Sequence, residues 1–542
     1  MKNIVLLLIT VSIQLTAIAQ SWQDTVGMIE KIFDRYKSEN PGCQLAISRN
    51  GQVIFSRAWG MADLEHGVTL TTNSIIEAGS VSKQFTAAAI LLLEQQGKLS
   101  LNDDVRKYVP ELPDYGTPIT LRHMMQHASG LKDWGAVAGI AGWPRSTKTY
   151  NNDDALYIIS RQKTLNHKPG DEYLYSNSNY NLFAIIVERV SGKSLAEFTR
   201  INIFEPAGMK HTEWRNNYKK IVANRAIAYQ KSINTYLTDM PNEYVYGNGG
   251  LLTTAEDLLT WNNYYLNNKF GNPSLLPNQL TTTPLNSGRM GWYGAGLSID
   301  SSRGWKVIAH TGATAGYRSS LEFFPDLGLS IAWLSNTSEF DQGPSSLDSV
   351  TNLLVKDLSN SQSKLPSTPI TVDLEKLNSY VGTYRDPRTA AAVRLFIRDG
   401  KLANSRGGNL TPISDNVFLI GGGQSRIEVS PGKPGKLRYI TPVDAVDFPR
   451  VDSANPDEKT MNDYVGEYYS DETESKFTVS IKSGRLVVHR DPKADYPLTP
   501  LYRDGFNSPA GIIYFERGKK SAVTYMKIFV GRARNVEFKK TK

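Results

Sequence analysis

The N-terminal part of the chain combines helical and strand-like patterns of apolar residues. Apolar positions at helical spacing over 24–38 predict a helix. Two short stretches, 44–48 and 53–59, predict strands, and Arg49-Asn50-Gly51 between them predicts a tight hairpin turn. A sheet is therefore expected to begin close to the N-terminus.

Helical patterns dominate the middle of the chain, and strand patterns return after them. Clear helical patterns cover 82–96, which stops at a glycine, and 180–190, which stops at a Ser-Gly pair. Strand patterns follow at 305–310, 319–324 and 329–334. A sheet formed from both ends of one domain, with helices between them, is an α+β arrangement, and this is the fold class that we predict.

A different pattern begins after a serine- and proline-rich stretch at 359–371, which predicts a linker. Short strands alternate with turns there, and the segment 377–384 matches 461–468 without a gap. The match continues into later strands, so the chain contains two copies of one small antiparallel β domain. Such strands usually avoid exposed edges by closing, which predicts barrel-like domains.

These patterns define the expected domain organisation. We expect a signal peptide at 1–19, an α+β domain at 20–360, a linker at 361–371 and β domains at 372–452 and 453–542. The β domains are either structural companions of the α+β domain or the source of a loop that enters its functional cleft. The sequence leaves both alternatives open.

The first residues have the composition of a secretory signal peptide. The short positive segment Met1-Lys2-Asn3 precedes the apolar stretch 4–13, and Ala17-Ile18-Ala19 matches a cleavage site before Gln20. The apolar stretch is too short for a comfortable membrane span. We therefore expect a secreted protein, periplasmic or extracellular, without a stable membrane span.

Composition narrows the classes of partner and the means of stabilisation. The 542 residues include a single cysteine, Cys43, so no disulfide can form within the chain, and we expect this cysteine to be a small buried hydrophobic residue. The formal net charge of +8 is spread along the chain without a basic run, which argues against a nucleic-acid partner. These features do not determine the oligomeric state.

The segment 77–85 places Ser80 and Lys83 three residues apart, where a predicted helix begins. Residues with this spacing share one face of a helix. A lysine desolvated by apolar surroundings can be neutral and take the proton of a hydroxyl, so Ser80 is a candidate nucleophile and Lys83 a candidate base. The same spacing follows Ser160 and Ser361, so the motif is weak by itself.

Tyr175 and Asn177 lie in a predicted loop just before another helix. A tyrosine near a lysine ammonium is expected to have a lowered pKa, which would let Tyr175 act as a general base or proton relay. The amide of Asn177 could orient Lys83 or a substrate carbonyl. The Y-x-N pattern also occurs at two other tyrosines, so this motif is weak too.

The predicted strand from Trp305 ends in His310-Thr311-Gly312-Ala313. A glycine here would allow the backbone to approach a substrate closely. The Thr311 hydroxyl could bind a substrate carboxylate, and the backbone N–H groups of Ala313 and Ser80 could form an oxyanion hole. No metal-ligand spacing surrounds His310, and neither a metal nor a cofactor is expected.

In this order, Ser80-Val81-Ser82-Lys83, Tyr175-Ser176-Asn177 and His310-Thr311-Gly312 resemble the three motifs of the serine β-lactamase and penicillin-recognising superfamily, in its class C-like peptidase branch. Two further stretches agree with this resemblance. The segment 121–131 resembles the family's H-T-S-G-L element, and 249–258 resembles its glycine-glycine-leucine element.

The resemblance covers about residues 24–359 and implies both a fold and a set of roles. The fold is an antiparallel sheet packed against helices, with the site between the sheet edge and the helices. Ser80 would form an acyl-enzyme, and Lys83 and Tyr175 would share the proton transfers. Which of the two is the acylation base is left open. Substrate would be oriented and lined by Asn177, His310, Thr311, Gly312 and Ala313.

One position departs from the lactamase pattern, because many lactamases of this branch carry lysine where His310 stands. The histidine form is associated with peptidases and D-aminopeptidases, and the paired β domains also resemble the layout of D-aminopeptidases of the superfamily. A histidine holds a substrate carboxylate only when it is protonated. Binding of such substrates would then weaken as the pH rises through neutrality.

The predicted function is that of a secreted serine hydrolase that cleaves amide or ester bonds through an acyl-Ser80 intermediate. A peptidase for D-amino-acid or cell-wall-type peptides is favoured, and a β-lactamase or esterase of the same fold is the alternative. A non-catalytic peptide-binding module would gain nothing from a desolvated lysine beside a serine. An α/β-hydrolase is disfavoured because the chain contains no G-x-S-x-G motif.

Overall fold

The structure is a computed structural model. It describes residues 22–542 except for 267–268, 270, 272, 340–345, 359–367, 422, 424, 433–434, 443, 492–493 and 520. The predicted signal peptide lies outside the described residues, and so does most of the predicted linker. The domain boundaries proposed there stay predictions.

A six-stranded antiparallel sheet forms the centre of the first domain, in the order β10-β11-β12-β13-β1-β2. It combines strands from both ends of the domain, as predicted, because β1 pairs with β13 along its whole length. The strands of this domain are β1 Cys43–Arg49, β2 Gln52–Trp59, β3 Met61–Asp63, β4 Val68–Thr69, β5 Ile76–Glu77, β6 Glu213–Trp214, β7 Tyr229–Ser232, β8 Thr235–Thr238, β9 Leu251–Thr253, β10 Ser298–Ser302, β11 Trp305–Thr314, β12 Tyr317–Phe324 and β13 Leu329–Ser335.

Helices cover both faces of this sheet. On β1, Ala46 packs in the cluster formed with helix α2, whereas Leu45 and Ile47 pack in the cluster formed with helices α1 and α11. The helices of the domain are α1 at 22–33, α2 Lys83–Gln95, α3 Leu121–Met125, α4 Trp134–Ile140, α5 Asn152–Ser160, α6 Asn177–Ser191, α7 Leu195–Thr199, α8 Glu205–Ala207, α9 Ala255–Leu266, α10 Leu275–Leu280 and α11 Ser346–Leu354. Since both faces are covered, β1 is buried from Cys43 to Ser48.

Two predicted boundaries differ from the structure, and both differences concern the site. Strand β11 does not end at His310 but continues to Thr314, because Gly312 and its neighbours pair with β12. Asn177 is not in a loop but is the first residue of α6, after Ser176 in an extended conformation. Tertiary pairing therefore extends both elements beyond their local patterns. The hairpin after β1 is as predicted, with positive φ angles at Asn50 and Gly51.

Two nearly closed antiparallel β domains follow, as predicted from the repeat. The first is an eight-stranded sheet and the second a nine-stranded sheet, and each is preceded by a short helix. The first contains α12 Leu374–Tyr380, β14 Gly382–Arg385, β15 Ala392–Arg398, β16 Lys401–Asn404, β17 Leu410–Ser414, β18 Val417–Ile420, β19 Arg426–Ser430, β20 Lys436–Ile440 and β21 Ala445–Val451. The second contains α13 Glu458–Tyr464, β22 Gly466–Ser470, β23 Ser475–Lys482, β24 Arg485–Arg490, β25 Ala494–Pro497, β26 Thr499–Tyr502, β27 Gly505–Ser508, β28 Gly511–Arg517, β29 Val523–Val530 and β30 Ala533–Lys540.

The second β domain docks on the α+β domain through helix α4. Val137 and Ile140 of that helix are buried in the hydrophobic core of the β domain. Beside them, Lys132 and Glu472 form a fully buried ion pair with an Nζ–Oε2 distance of 2.8 Å. Helix α4, which follows the H-A-S-G-L segment at 127–131, therefore holds the second β domain against the α+β domain.

Two further findings complete the description. Cys43 is fully buried in β1, as predicted for a small hydrophobic residue. None of the helices in the described part of the chain is both long and apolar enough to cross a bilayer.

Candidate active site

Ser80 lies in a 3₁₀ turn, Gly79–Ser82, that leads directly into α2. Its Oγ is 3.1 Å from the Nζ of Lys83, one turn further along, and 2.8 Å from the phenol oxygen of Tyr175. Ser80 is partly exposed, so a substrate can reach the hydroxyl. The structure thus brings together the three residues that the sequence selected as catalytic candidates.

Lys83 is fully buried, and burial lowers the pKa of its amine well below the ordinary value, although the charge of Asp133 partly opposes this effect. The Nζ donates to the Asn177 Oδ1 at 2.9 Å and to the Asn248 carbonyl at 2.5 Å. A neutral amine has two N–H groups and one lone pair. With both N–H groups directed at these oxygens, the lone pair is left for the Ser80 hydroxyl.

Tyr175 does not have the lowered pKa that its proximity to a lysine predicts. Burial of its phenol raises the pKa, and the hydrogen bond with Ser80 only partly offsets this. The prediction fails because desolvation of the phenolate outweighs the nearby amine, which is itself held neutral. Tyr175 is therefore a protonated phenol that donates to the Ser80 Oγ.

Asn177 orients the lysine from the start of α6. Its side chain accepts from Lys83, while its backbone N–H donates to the Asp133 Oδ2 at 2.8 Å. The other carboxylate oxygen of Asp133 caps α4 by accepting from the Ala136 N–H at 3.1 Å. Asp133 thus joins the docking helix α4 to the residue that holds Lys83.

His310 is held as a neutral imidazole. Its Nε2 is 2.8 Å from the Tyr293 hydroxyl and its Nδ1 is 2.6 Å from the Thr311 carbonyl oxygen. The carbonyl can only accept, so Nδ1 carries the proton and Nε2 accepts from the phenol. Burial lowers the pKa of His310 to about 3. The expectation that a protonated His310 holds a substrate carboxylate near neutral pH is therefore wrong.

Gly312 is required by the packing of β11 against the Ser80 segment. A Cβ at this position would lie 2.2 Å from the Ala78 carbonyl oxygen and 2.2 Å from the Ser319 Oγ. The close approach that the glycine permits is thus to the protein's own backbone and not, as predicted, to a substrate. Thr311 and Ala313 alternate with it and are exposed in the cleft.

The cleft around Ser80 has a volume of about 600 Å³, and the second β domain contributes Arg532 to its lining. Arg532 lies in the turn between β29 and β30. Its guanidinium carbon is 4.7 Å from the centre of the Tyr175 ring. Its carbonyl oxygen accepts from the Asp133 N–H at 3.0 Å and from the Asn166 side chain at 3.1 Å. Of the two alternatives for the β domains, the second copy does send a loop into the cleft.

The Beta-lactamase family model matches residues 29–353 of this chain, which is more than half of its length. The chain belongs to the Beta-lactamase family. Penicillin-binding protein 4* of Bacillus subtilis (strain 168) is 25% identical over 403 residues, which cover 71% of this chain and 84% of that protein. The D-aminopeptidase of Cereibacter sphaeroides (strain ATCC 17029 / ATH 2.4.9) is 30% identical over 304 residues. That match spans 55% of this chain and only 57% of the D-aminopeptidase.

Solved structures show the same fold. The octameric penicillin-binding protein homologue from Pyrococcus abyssi superposes with a TM-score of 0.53 at 20% identity, covering 88% of this chain and 99% of that one. The D-amino acid amidase from Ochrobactrum anthropi SV3, in complex with D-phenylalanine, superposes with a TM-score of 0.52 at 20% identity, covering 61% and 99%. The predicted superfamily and fold class are confirmed.

Several residues of this Beta-lactamase-family site were not selected from the sequence. Asn248 could have been found, because it directly precedes the Gly249-Gly250 pair of a family-like element. Tyr293, the partner of His310, stands in no motif. Arg532 differs from its counterpart Pro442 when the two β domains are aligned, but a difference on a turn is a weak signal.

The site is built without a cluster of metal-ligating side chains. In the described ranges, no group of three or more His, Cys, Asp or Glu residues is arranged to hold a metal ion. The chemistry available to the side chains described above is nucleophilic attack by Ser80 with proton transfer through Lys83 and Tyr175.

Proposed function

We propose that this protein is a secreted serine hydrolase that cleaves amide bonds in D-amino-acid-containing or cell-wall-type peptides through an acyl-Ser80 intermediate. The observation that carries the proposal is the position of the Ser80 Oγ, between the Nζ of a buried Lys83 and the phenol of Tyr175. A partly exposed serine with a neutral amine at hydrogen-bond distance is an activated nucleophile.

In the proposed acylation, neutral Lys83 is the base. The Ser80 hydroxyl gives its proton to the Lys83 lone pair as the Oγ attacks the substrate carbonyl. The phenol of Tyr175 then protonates the leaving nitrogen, and the lysine returns a proton to the phenolate. The backbone N–H groups of Ser80 and Ala313 are the proposed oxyanion donors. The two segments lie close together, because a Cβ added to Gly79, the neighbour of Ser80, would lie 2.8 Å from the Ala313 nitrogen. Water attacks the acyl-enzyme in the second half of the reaction.

The preference for D-residues rests on the relatives. D-aminopeptidases of Cereibacter sphaeroides and Brucella ovis are 30% and 27% identical to this chain. Their names describe peptidases, and the name of the Bacillus subtilis relative describes a penicillin-binding protein. A peptidase fits both, because penicillins acylate the serine that attacks a peptide. Secretion is supported by the composition of residues 1–19.

Intact mass spectrometry tests this proposal. The protein is incubated with a penicillin, an N-acyl-D-Ala-D-Ala peptide, a D-amino-acid amide and a short ester, and both adduct mass and product are followed. We expect turnover of at least one D-amino-acid substrate through an adduct on Ser80. A long-lived penicillin adduct with peptide turnover indicates a peptidase, and rapid penicillin turnover indicates a lactamase.

Two serine variants make this test specific. Ser80→Ala should remove every adduct and lower turnover by more than about 10³-fold. Loss of the nucleophile is expected to cost more in rate than loss of a single oxyanion-hole donor. Ser160→Ala is the matched control, since Ser160 also precedes a lysine by three residues but lies at the end of α5. Undiminished turnover in Ser80→Ala would refute the mechanism, and binding without turnover or adduct in the wild type would indicate a binding module.

A further inference from the structure

The proposed peptidase cleft lacks a cation where the superfamily resemblance places one. His310 is neutral, and both of its ring nitrogens are engaged, by the Tyr293 hydroxyl and the Thr311 carbonyl. A substrate carboxylate therefore gains no ion pair from His310 of strand β11. If the substrate carries a carboxylate, another side chain has to supply the positive charge that pairs with it.

Three arginines line the cleft, and two of them are engaged within the protein. Arg145 makes a two-pronged ion pair with Glu243, so its charge is compensated. Arg318 donates to the carbonyl oxygens of Ala315 and Tyr317 at 2.6 and 2.7 Å. Arg532 is exposed, and no carboxylate of the described residues lies within ion-pair distance of its guanidinium.

The position of Arg532 is defined by its backbone and by stacking. Its carbonyl accepts from the Asp133 N–H and the Asn166 side chain, which fixes the turn against the α+β domain. Its guanidinium lies 4.7 Å from the ring centre of Tyr175, a cation–π contact. The planar guanidinium still has N–H donors available, and their spacing matches the two oxygens of a carboxylate.

We propose that Arg532 binds a free carboxylate of the substrate and makes this enzyme selective for peptides that carry one beside the scissile bond. The guanidinium is 4.7 Å from the Tyr175 ring, and the phenol of that ring is 2.8 Å from the Ser80 Oγ. One extended residue spans about 3.5 Å, so the carboxylate lies one or two residues from the attacked carbonyl. This inference deepens the proposed function and rests on it.

The inference also gives the second β domain a role that the first cannot have. The two domains are copies, yet the position of Arg532 in the second copy corresponds to Pro442 in the first. A proline has no donor for a carboxylate. The selectivity is therefore expected to reside in one turn of the second copy.

Binding tests the inference without requiring turnover. In the Ser80→Ala background, titration calorimetry measures the dissociation constants of N-acetyl-D-Ala-D-Ala and of its C-terminal amide, which differ only in the charge. We expect the acid to bind more tightly than the amide, and Arg532→Gln to weaken the acid by about 10- to 100-fold while the amide changes by less than about threefold. Arg532→Lys should recover part of the preference, because it keeps the charge but loses the fork.

A control and a kinetic arm separate the possible failures. Arg485→Gln removes an exposed arginine from the start of strand β24 in the same β domain and should leave both constants unchanged. Equal losses for acid and amide in Arg532→Gln would mean that Arg532 only supports Tyr175, and no loss for either would mean that it binds nothing; both results overturn the inference. If the acid is preferred through Arg532 but the protein with Ser80 intact forms no adduct, the inference stands and the proposed function fails.

Discussion

At the scale of single residues, the chemistry depends on Lys83 being neutral. Among the described residues, the amine forms hydrogen bonds with the Asn177 amide oxygen, the Asn248 carbonyl and the Ser80 hydroxyl, and no carboxylate lies within ion-pair distance of it. A charged amine buried among neutral acceptors is costly, so the lysine loses its proton on folding. The same burial that would let Lys83 act as a base lowers the free energy of unfolding of the protein.

This cost predicts how Lys83→Met changes stability with pH. Because burial lowers the pKa of Lys83 in the folded chain, the unfolded chain binds more protons and the stability of the wild type rises with pH. The free energy of unfolding of the wild type should therefore rise, relative to that of Lys83→Met, by up to about 1.4 kcal/mol for each pH unit between 7 and 9. Urea unfolding at three pH values measures the slope, with exposed Lys98→Met as control. Equal slopes would show that folded Lys83 is charged.

His310 predicts an absence of pH dependence. Because burial lowers its pKa to about 3, the imidazole stays neutral at every pH above that value. The ratio of kcat/KM for an acid peptide to that for its amide should therefore be flat between pH 5 and 8, where a peptide carboxylate stays ionised. A ratio that falls with a midpoint near 6.5 would return the carboxylate-binding role to a protonated His310.

At the scale of elements, the segment 170–176 that carries Tyr175 is held by both β domains. The Glu172 Oε2 accepts from Arg388 of the first β domain at 3.0 Å and from Arg534 of the second at 2.9 Å. Its carboxylate is largely buried, so this clamp is screened less than a surface pair. The position of a catalytic candidate therefore depends on contacts outside the α+β domain.

Glu172→Gln should loosen this segment and lower turnover for all substrates alike. The neutral amide keeps an oxygen but loses the charge that both arginines share, and a displaced Tyr175 protonates the leaving group poorly. We expect kcat to fall by about tenfold for acid and amide peptides alike, since small misplacements reduce rates strongly. Asp171→Asn, at an exposed neighbour, is the control. A change in the acid-to-amide ratio would instead place Glu172 in substrate selection.

At the scale of the whole molecule, the second β domain is part of the enzyme's structure and of its proposed site. Helix α4 inserts Val137 and Ile140 into the core of that domain, and Lys132 pairs with Glu472 in the same interface. Lys132 directly precedes Asp133, which binds both Arg532 and Asn177. Docking of the domain is thus connected by covalent bonds and hydrogen bonds to Lys83, the proposed base.

The buried pair predicts a non-additive result. Glu472→Leu leaves Lys132 buried without its partner and should destabilise the protein by about 3–5 kcal/mol, whereas Lys132→Met combined with Glu472→Leu should recover most of that loss. Chemical unfolding of the full chain measures both variants. Asp471→Asn breaks the exposed pair with Lys163 and should change nothing measurable. Equal losses in the single and double variants would contradict a buried electrostatic origin.

The local patterns were sufficient for five of the six central strands, for helices α1, α2 and α6, and for the fold class. Alternating and helical spacing, with turn residues such as Asn50-Gly51, depend on neighbours in sequence, and they predicted the α+β domain and the two β domains. Patterns failed where a distant strand or helix decides the outcome. Pairing with β12 carries β11 to Thr314, and the bond from its N–H to Asp133 draws Asn177 into α6.

The sequence by itself determined the family, the candidate nucleophile and its motif partners, because those residues stand at short, ordered spacings. Only the tertiary structure decided their protonation states and the charge of the cleft. Burial lowers the pKa of Lys83 and of His310 and raises the pKa of Tyr175, and burial is a property of the packed chain. Arg532 stands 452 positions after Ser80, and only docking of the second β domain brings its charge to the site.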